Sequence, residues 1–144
     1  MTPQERAQTC AELMWSRDRA SQALGMRIEG IAPGKATLSM PIRDDMLNGQ
    51  GICHGGMIFA LADSAFAFAC NTHNTLTVAQ SNQITYLAPA TARDTLTAHA
   101  TEVARQGRSG TYDVVVTAAD GRKLALFRGL SRTVSGQHFD EDAT

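Results

Sequence analysis

The 144-residue sequence predicts an α+β domain in which an antiparallel sheet wraps around one enclosed helix. Three observations predict it. Residues 55–71, GGMIFALADSAFAFACN, are apolar on almost every side of a helix, the pattern of a helix surrounded by other structure. Strand-like runs separated by turn residues follow it. A shorter two-stranded hairpin precedes it, so helix and sheet are not interleaved as they are in a parallel α/β fold.

In chain order, residues 4–24 place Ala7, Ala11, Met14 and Trp15 at helical spacing among Arg and Glu. They predict one leading amphipathic helix that ends near Gly25. Residues 26–31 and 35–42 flank Ala32-Pro33-Gly34 and form the hairpin. In the second run Ala36, Leu38 and Met40 share one face, and Lys35, Thr37 and Ser39 the other. A loop over 43–54 contains Asn48-Gly49 and leads into the apolar helix. Strands are expected at 77–87, 94–105, 110–119 and 123–134, with a tight turn at Asp120-Gly121. The chain thus divides into a helical segment 1–24, a main domain 25–135 and a polar tail 136–144, the last expected to fray. A sheet covers only one flank of the helix, and the simplest cover for the other is a second copy related by two-fold symmetry.

Composition narrows the function. A net charge of -1 provides no field for a polyanionic backbone, so nucleic-acid binding is not expected. Three cysteines, Cys10, Cys53 and Cys70, fit neither a metal spacing nor a disulfide frame, and point to free thiols in a reducing cytoplasm. The longest nearly apolar run, 56–70, is shorter than the ~20 residues of a membrane helix and contains Asp63, so no membrane span is expected. The N-terminal residues lack an apolar export core. Charged residues make up 19%, a low share that suits a surface partly buried against another subunit.

Asp63 is the residue that demands an account, because it is the sole charge within 56–70. An ionised carboxylate in apolar surroundings is costly unless paired, and such groups are enriched at working sites. It reads either as a catalytic base or nucleophile, or as a structural aspartate satisfied by backbone or serine. Upstream, LNGQGICHGG (47–56) runs into the helix start. Gly55 and Gly56 let a ligand approach bare backbone, and the first amides of a helix lack intrahelical partners. A carbonyl placed there would be polarised and its oxyanion stabilised; the plainer reading is a turn. His54 reads as a general acid, a metal ligand or the residue that orients the loop. Asn48 reads as a holder of water or a carbonyl, or as a turn residue. From Gly55 to Asp63 is eight residues, ~12 Å along a helix axis, too far for one chain to present both to one carbonyl. Two antiparallel copies of the helix would bring Asp63 of one beside the Gly55 amide of the other.

The segment 47–71, with QITYLAPA (83–90), VARQGRSG (103–110) and LALFRG (124–129), resembles the hotdog-fold thioesterases, most closely the PaaI type of phenylacetate degradation. The likeness covers nearly all of the chain after its first twenty residues. It implies a hotdog fold, a homodimer with shared active sites, a dimer of dimers, and hydrolysis of acyl-CoA esters, phenylacetyl-CoA and ring-hydroxylated relatives foremost. Coenzyme A is then part of the substrate, and no separate cofactor or metal is implied. By the resemblance Gly55 polarises the thioester carbonyl, and Asp63 of the partner is nucleophile or general base. Asn48 positions the carbonyl or water, and His54 stabilises the loop. Some related enzymes have a serine on the strand after the helix that holds the attacking water; here Ala79 stands there, with Ser81 two positions on. Gly56, Met57, Phe59 and Phe66 are candidates for the acyl wall, with core packing as the alternative for the aromatic rings. Arg108 and Arg128 are candidates for the CoA phosphates, the alternative being ordinary solvated charge. Two other classes share these features: an acyl-CoA binding or regulatory module without hydrolysis, and a hotdog-type enoyl thioester dehydratase or hydratase.

Overall fold

The computed structural model describes residues 1–143. Helices α1 (Pro3–Arg17) and α2 (Arg19–Ala23) lead into the hairpin of β1 (Arg27–Ala32) and β2 (Lys35–Pro41). A short 3-10 turn, Asp44–Met46, precedes α3 (Gly55–Cys70). Strands β3 (Thr77–Tyr86), β4 (Thr95–Gln106), β5 (Ser109–Thr117) and β6 (Lys123–Thr133) complete one six-stranded sheet in the order β1-β2-β4-β5-β6-β3. Every neighbouring pair is antiparallel. Helix α3 packs against all six strands. This is the wrapped helix that the apolar pattern predicted, and the hotdog fold that the resemblance implied.

The core lies between α3 and the sheet. Leu61, Ala62, Ala65, Phe66 and Phe68 of α3 meet Leu38, Met40, Leu96, Val114, Val116 and Phe127. Full burial of each large side chain contributes ~1.5–3 kcal/mol relative to exposure. The alanines let backbone approach the helix closely. Gly129 does the same from β6: a Cβ there would stand 2.7 Å from the ring of Phe66.

The leading helix is broken where a single one was expected. Asp18 ends α1 and caps α2, its carboxylate accepting from Ser21 N at 2.9 Å and Ser21 Oγ at 2.7 Å. An aspartate that bonds the backbone three residues on competes with continued helix. Ser21 in turn lies 2.8 Å from Ser64 Oγ, which ties α2 to α3.

The tail, expected to fray, is hydrogen-bonded to the domain over its described part. Asn74, in the left-handed region at φ 59° and 1% exposed, takes His138 N and Phe139 N on Oδ1 at 2.9 and 3.2 Å. Its Nδ2 donates to Phe139 O at 2.9 Å. Arg6 of α1 pairs with Glu141 at 2.6 Å, so both termini meet at this clasp. Thr144 lies outside the described residues. Asn74→Ala should cost about 2–3 kcal/mol in denaturant unfolding, from buried donors left unpaired and an alanine forced to positive φ. Asn74→Gly should recover only the backbone part, about 1 kcal/mol.

The two edges of the sheet differ. β1 is covered by α1, whose Gln4 donates to Ile31 O at 2.7 Å. β3 is a ten-residue edge, TVAQSNQITY, without a charge or proline, and most of it is exposed. Long edges are normally blunted by charge, proline or cover, and this one has none among the described residues. Val78, Tyr86 and Leu87 add 50%, 48% and 50% exposed apolar side chains beside it.

Candidate active site

The start of α3 is built by His54. Its Nδ1 accepts from Gly56 N at 2.9 Å, as a helix cap. Its backbone N donates to Met46 O at 2.8 Å, and its carbonyl accepts from Met57 N at 2.9 Å. The Gly56 and Met57 amides are thereby satisfied. The Gly55 amide, also in the unpaired first turn, has no acceptor among the described residues. A Cβ on Gly55 would lie 3.1 Å from the Tyr86 ring, and Tyr86 Oη donates to Gly55 O at 2.8 Å. Tyr86, absent from the sequence-based candidates, thus packs over the glycine.

Asn48 organises the loop in front of this amide. Its Oδ1 accepts from Gln50 N at 2.9 Å and Ile52 N at 3.3 Å, the turn role that its sequence context favoured. Its side-chain nitrogen has no partner among the described residues and remains a donor for a ligand. Asn48 and Gly55 line one open cavity of about 430 Å³ with Ile58, Tyr86, Leu87 and Pro89. The cavity holds an amide donor and an apolar wall, and Asp63 is not among its lining residues.

Asp63 lies farther along α3, half-buried. Its Oδ1 accepts from Asn82 Nδ2 of β3 at 2.9 Å, and no cation pairs with it among the described residues. Burial pushes its carboxyl above the ordinary aspartate range, and the Asn82 hydrogen bond only partly opposes this. The geometry is that of a carboxylate whose proton affinity is raised towards that of a useful base.

Asn82 reaches Asp63 because of a bulge in β3. The register with β6 shifts between Ala79 and Ser81. Before it, Ala79 stands opposite buried Ser131; after it, Asn82 stands opposite buried Gly129 and Ile84 opposite buried Phe127. The inward set therefore changes from odd to even numbers. Ser81, opposite exposed Leu130, faces away from α3 and is no substitute for a serine at the position of Ala79. Alternation carried on from the inward Ala79 places Asn82 outside, and only the bulge turns it in. Nothing in the residue types announces the switch, since Val78 and Ile84, both apolar and of equal parity, end on opposite faces.

The remaining candidates are spread out. Met57 and Phe59 are half-buried on the flanks of α3, Phe59 edge-on to Phe127 at 5.5 Å. Phe66 is 1% exposed and enclosed by Tyr112, Phe127 and Gly129, so within the chain it is core and lines no cavity with Gly55. Arg108 sits on the β4–β5 hairpin, its carbonyl accepting from Thr133 N. That is the end of the sheet near the C-terminus of α3, opposite to Gly55. Arg128 lies on the sheet face turned away from α3 and pairs through both nitrogens with Asp113, at 2.7 and 2.9 Å. Its guanidinium holds the Asp113 carboxyl below the usual range.

Comparison with known proteins bears on this arrangement. Residues 50–125 match the model of the thioesterase superfamily. The chain is 42% identical over 127 residues to the acyl-coenzyme A thioesterase PaaI of Escherichia coli K12, covering 88% of this chain and 90% of that protein. The solved structure of the E. coli PaaI protein superposes with a TM-score of 0.93 at 38% identity, over 94% of this chain and 99% of that one. A structure of the phenylacetic acid degradation protein PaaI from Thermus thermophilus gives 0.79 at 39% identity, over 81% and 100%. The chain belongs to the thioesterase superfamily, as a hotdog-fold member of the PaaI type.

Proposed function

We propose that this chain hydrolyses phenylacetyl-CoA and ring-hydroxylated phenylacetyl-CoA to the free acid and CoA, at sites shared between two copies. Family membership supports acyl-CoA thioester hydrolysis as its general activity. The observation that carries the site assignment is the separation of two complementary groups on one helix. Gly55, whose amide has no acceptor among the described residues, lines a cavity that lacks a carboxylate, and the Asp63 carboxylate lies ~12 Å along the axis. A two-fold pairing of the uncharged β3 edges sets two α3 helices antiparallel and offers Asp63 of each to the Gly55 amide of the other. The resulting pairs assemble further as a dimer of dimers.

In the composite site the thioester oxygen accepts from Gly55 N–H, with Asn48 Nδ2 as a second donor. His54 holds the loop in place. Asp63 either removes a proton from water as its oxygen adds to the carbonyl carbon, or adds itself to give a mixed anhydride that water opens. In both routes the C–S bond breaks and CoA leaves as thiolate. Gly56, Met57, Phe59 and Ile58 offer apolar surface for the acyl group, and Phe66 supports that wall from behind. Arg108 on its exposed hairpin is available for a CoA phosphate, whereas Arg128 would first have to leave Asp113. The arylacetyl preference is supported by the similar E. coli protein's place in a phenylacetic acid degradation operon, by the similar Thermus phenylacetic acid degradation protein, and by the aromatic flanks of α3. Three buried unpaired thiols suit a reducing cytoplasm.

A free-thiol assay over phenylacetyl-, hydroxyphenylacetyl-, benzoyl-, acetyl- and medium-chain CoA esters tests the reading. The arylacetyl esters should exceed acetyl-CoA in kcat/KM by at least ~10-fold, the scale on which an apolar pocket discriminates. Equal rates on all esters would remove the arylacetyl assignment, and no thiol release from any of them would remove hydrolysis.

A further inference from the structure

The mechanism above leaves one polar side chain without a role. Asn82 is the direct partner of Asp63, yet it belongs to neither the loop nor the helix that carry the proposed site. Three features set it apart. The bulge at Gln80 turns it inward, at the point where the edge strand crosses α3. The residue opposite it in β6 is Gly129, which contributes no side chain of its own to fill that place. Its Oδ1 is buried and is the sole buried side-chain nitrogen or oxygen without a hydrogen-bond partner among the described residues. An orphaned buried carbonyl costs ~1–3 kcal/mol and calls for an explanation.

We infer that Asn82 is a positioning residue for Asp63: its amide donates to the carboxylate before the reaction and, turned over, accepts from the carboxylic acid once Asp63 has taken a proton. The inference rests on the reading of Asp63 as the catalytic carboxylate, in its general-base form. In that route a water O–H bond breaks, its proton passes to Asp63, and its oxygen bonds to the thioester carbon. Departing CoA thiolate then recovers the proton from Asp63. A fixed donor would suit only the first charge state and a fixed acceptor only the second. A side-chain amide carries both groups on one axis. Because Oδ1 has no other partner, turning the amide breaks no bond apart from the one to Asp63. The contact to Oδ1 of Asp63 also fixes which carboxylate oxygen remains open to the reacting group.

Among the described residues Asn82 is the one side chain hydrogen-bonded to the Asp63 carboxylate. The titratable group that feels Asp63 is Cys70 on the same helix, which in turn acts on Tyr112 of β5. Burial holds the Cys70 thiol up at about 12 and raises the Tyr112 hydroxyl further, so both remain neutral across the working range. With Asn82 removed Asp63 loses a partner in both charge states, but the bond to the charged carboxylate is the stronger of the two, so the carboxyl moves further upward.

The test compares the full-length wild type with Asn82→Leu, of similar volume and no donor, and Asn82→Ser, which retains a hydroxyl donor. Two readouts are followed: the pH dependence of kcat, and the NMR titration of the Asp63 carboxyl carbon, assigned by its absence in Asp63→Asn. In Asn82→Leu the carboxyl titration and the acid limb of kcat should both move up by about one pH unit. The plateau kcat should fall about 10-fold with KM unchanged, and Asn82→Ser should lie between. A merely structural asparagine would lower the amount of folded enzyme and move neither curve, and that result overturns the inference. An unmoved carboxyl titration also overturns it, while leaving Asp63 as the base if Asp63→Asn is inactive. A titration that moves while the acid limb stays put overturns it from the other side, because the rate then follows a group other than Asp63.

Discussion

Asp63→Asn should fold normally and lose about 10²–10⁴-fold in kcat, the range that a positioned general base contributes. The substitution keeps size and shape and removes only the charge and the basicity. Stability should not explain the loss. Burial raises the folded-state pKa of Asp63 above its unfolded value, so its stabilising contribution is full below the unfolded pKa and is lost as pH rises through the folded one. At neutral pH the ionised carboxylate is therefore a burden on the fold, and the neutral amide should leave the unfolding midpoint equal or higher. For the same reason the acid limb of the wild-type rate profile should lie above the ordinary aspartate range. A variant with wild-type kcat, or one that is inactive because it is unfolded, contradicts this account.

Gly55→Pro should lower kcat by about 10²–10³-fold, the cost of one lost oxyanion donor, with little loss of stability. Gly55 is the first residue of α3, a position where proline is favoured because the amide it lacks is unpaired in the helix anyway. His54 before it has φ -60° and ψ 132°, the extended conformation that a residue preceding proline prefers. The substitution thus deletes one N–H and disturbs little else of the backbone. Any side chain at 55 presses on Tyr86, whose ring would be 3.1 Å from the new Cβ. Gly55→Ala controls for that contact, since it adds the same atom and keeps the N–H. Steady-state kinetics should show Gly55→Ala much closer to wild type than Gly55→Pro. Equal losses in the two variants would mean that space at Tyr86, and not the amide, is what the glycine provides.

The elements legible in the sequence were those with local signals. Gly55-Gly56 before a nearly apolar run located α3 from its first residue, and Ala32-Pro33-Gly34 and Asp120-Gly121 located two turns between strands. Asp63 stood out because a lone charge among alanines and phenylalanines is a local contradiction. What was not legible depends on residues far apart in the chain. The tail is held by Asn74 and Arg6, at separations of 64 and 135 residues, and nothing in GQHFDEDAT announces either partner. The break at Asp18 was hidden by helical spacing on both sides of it, although an aspartate three residues before a serine is a cap signal. Asn82 was hidden by one extra residue in β3. The charge of Arg128 is plain in the sequence, but its pairing with Asp113 across two strands is not.

The central claim is that Asp63 and the Gly55 amide meet only when they come from different copies. Subunit mixing tests it most directly. Asp63→Asn and Gly55→Pro, each inactive alone, are unfolded together, refolded in equal amounts and assayed for thiol release. In a mixed dimer the site formed by Gly55 of one chain and Asp63 of the other is intact, while the second site carries both lesions. With random pairing about half of the dimers are mixed and one of their two sites works, so about a quarter of wild-type activity should return. A mixture that demonstrably contains mixed dimers yet stays as inactive as its parents would place both groups in one chain's site and contradict the account.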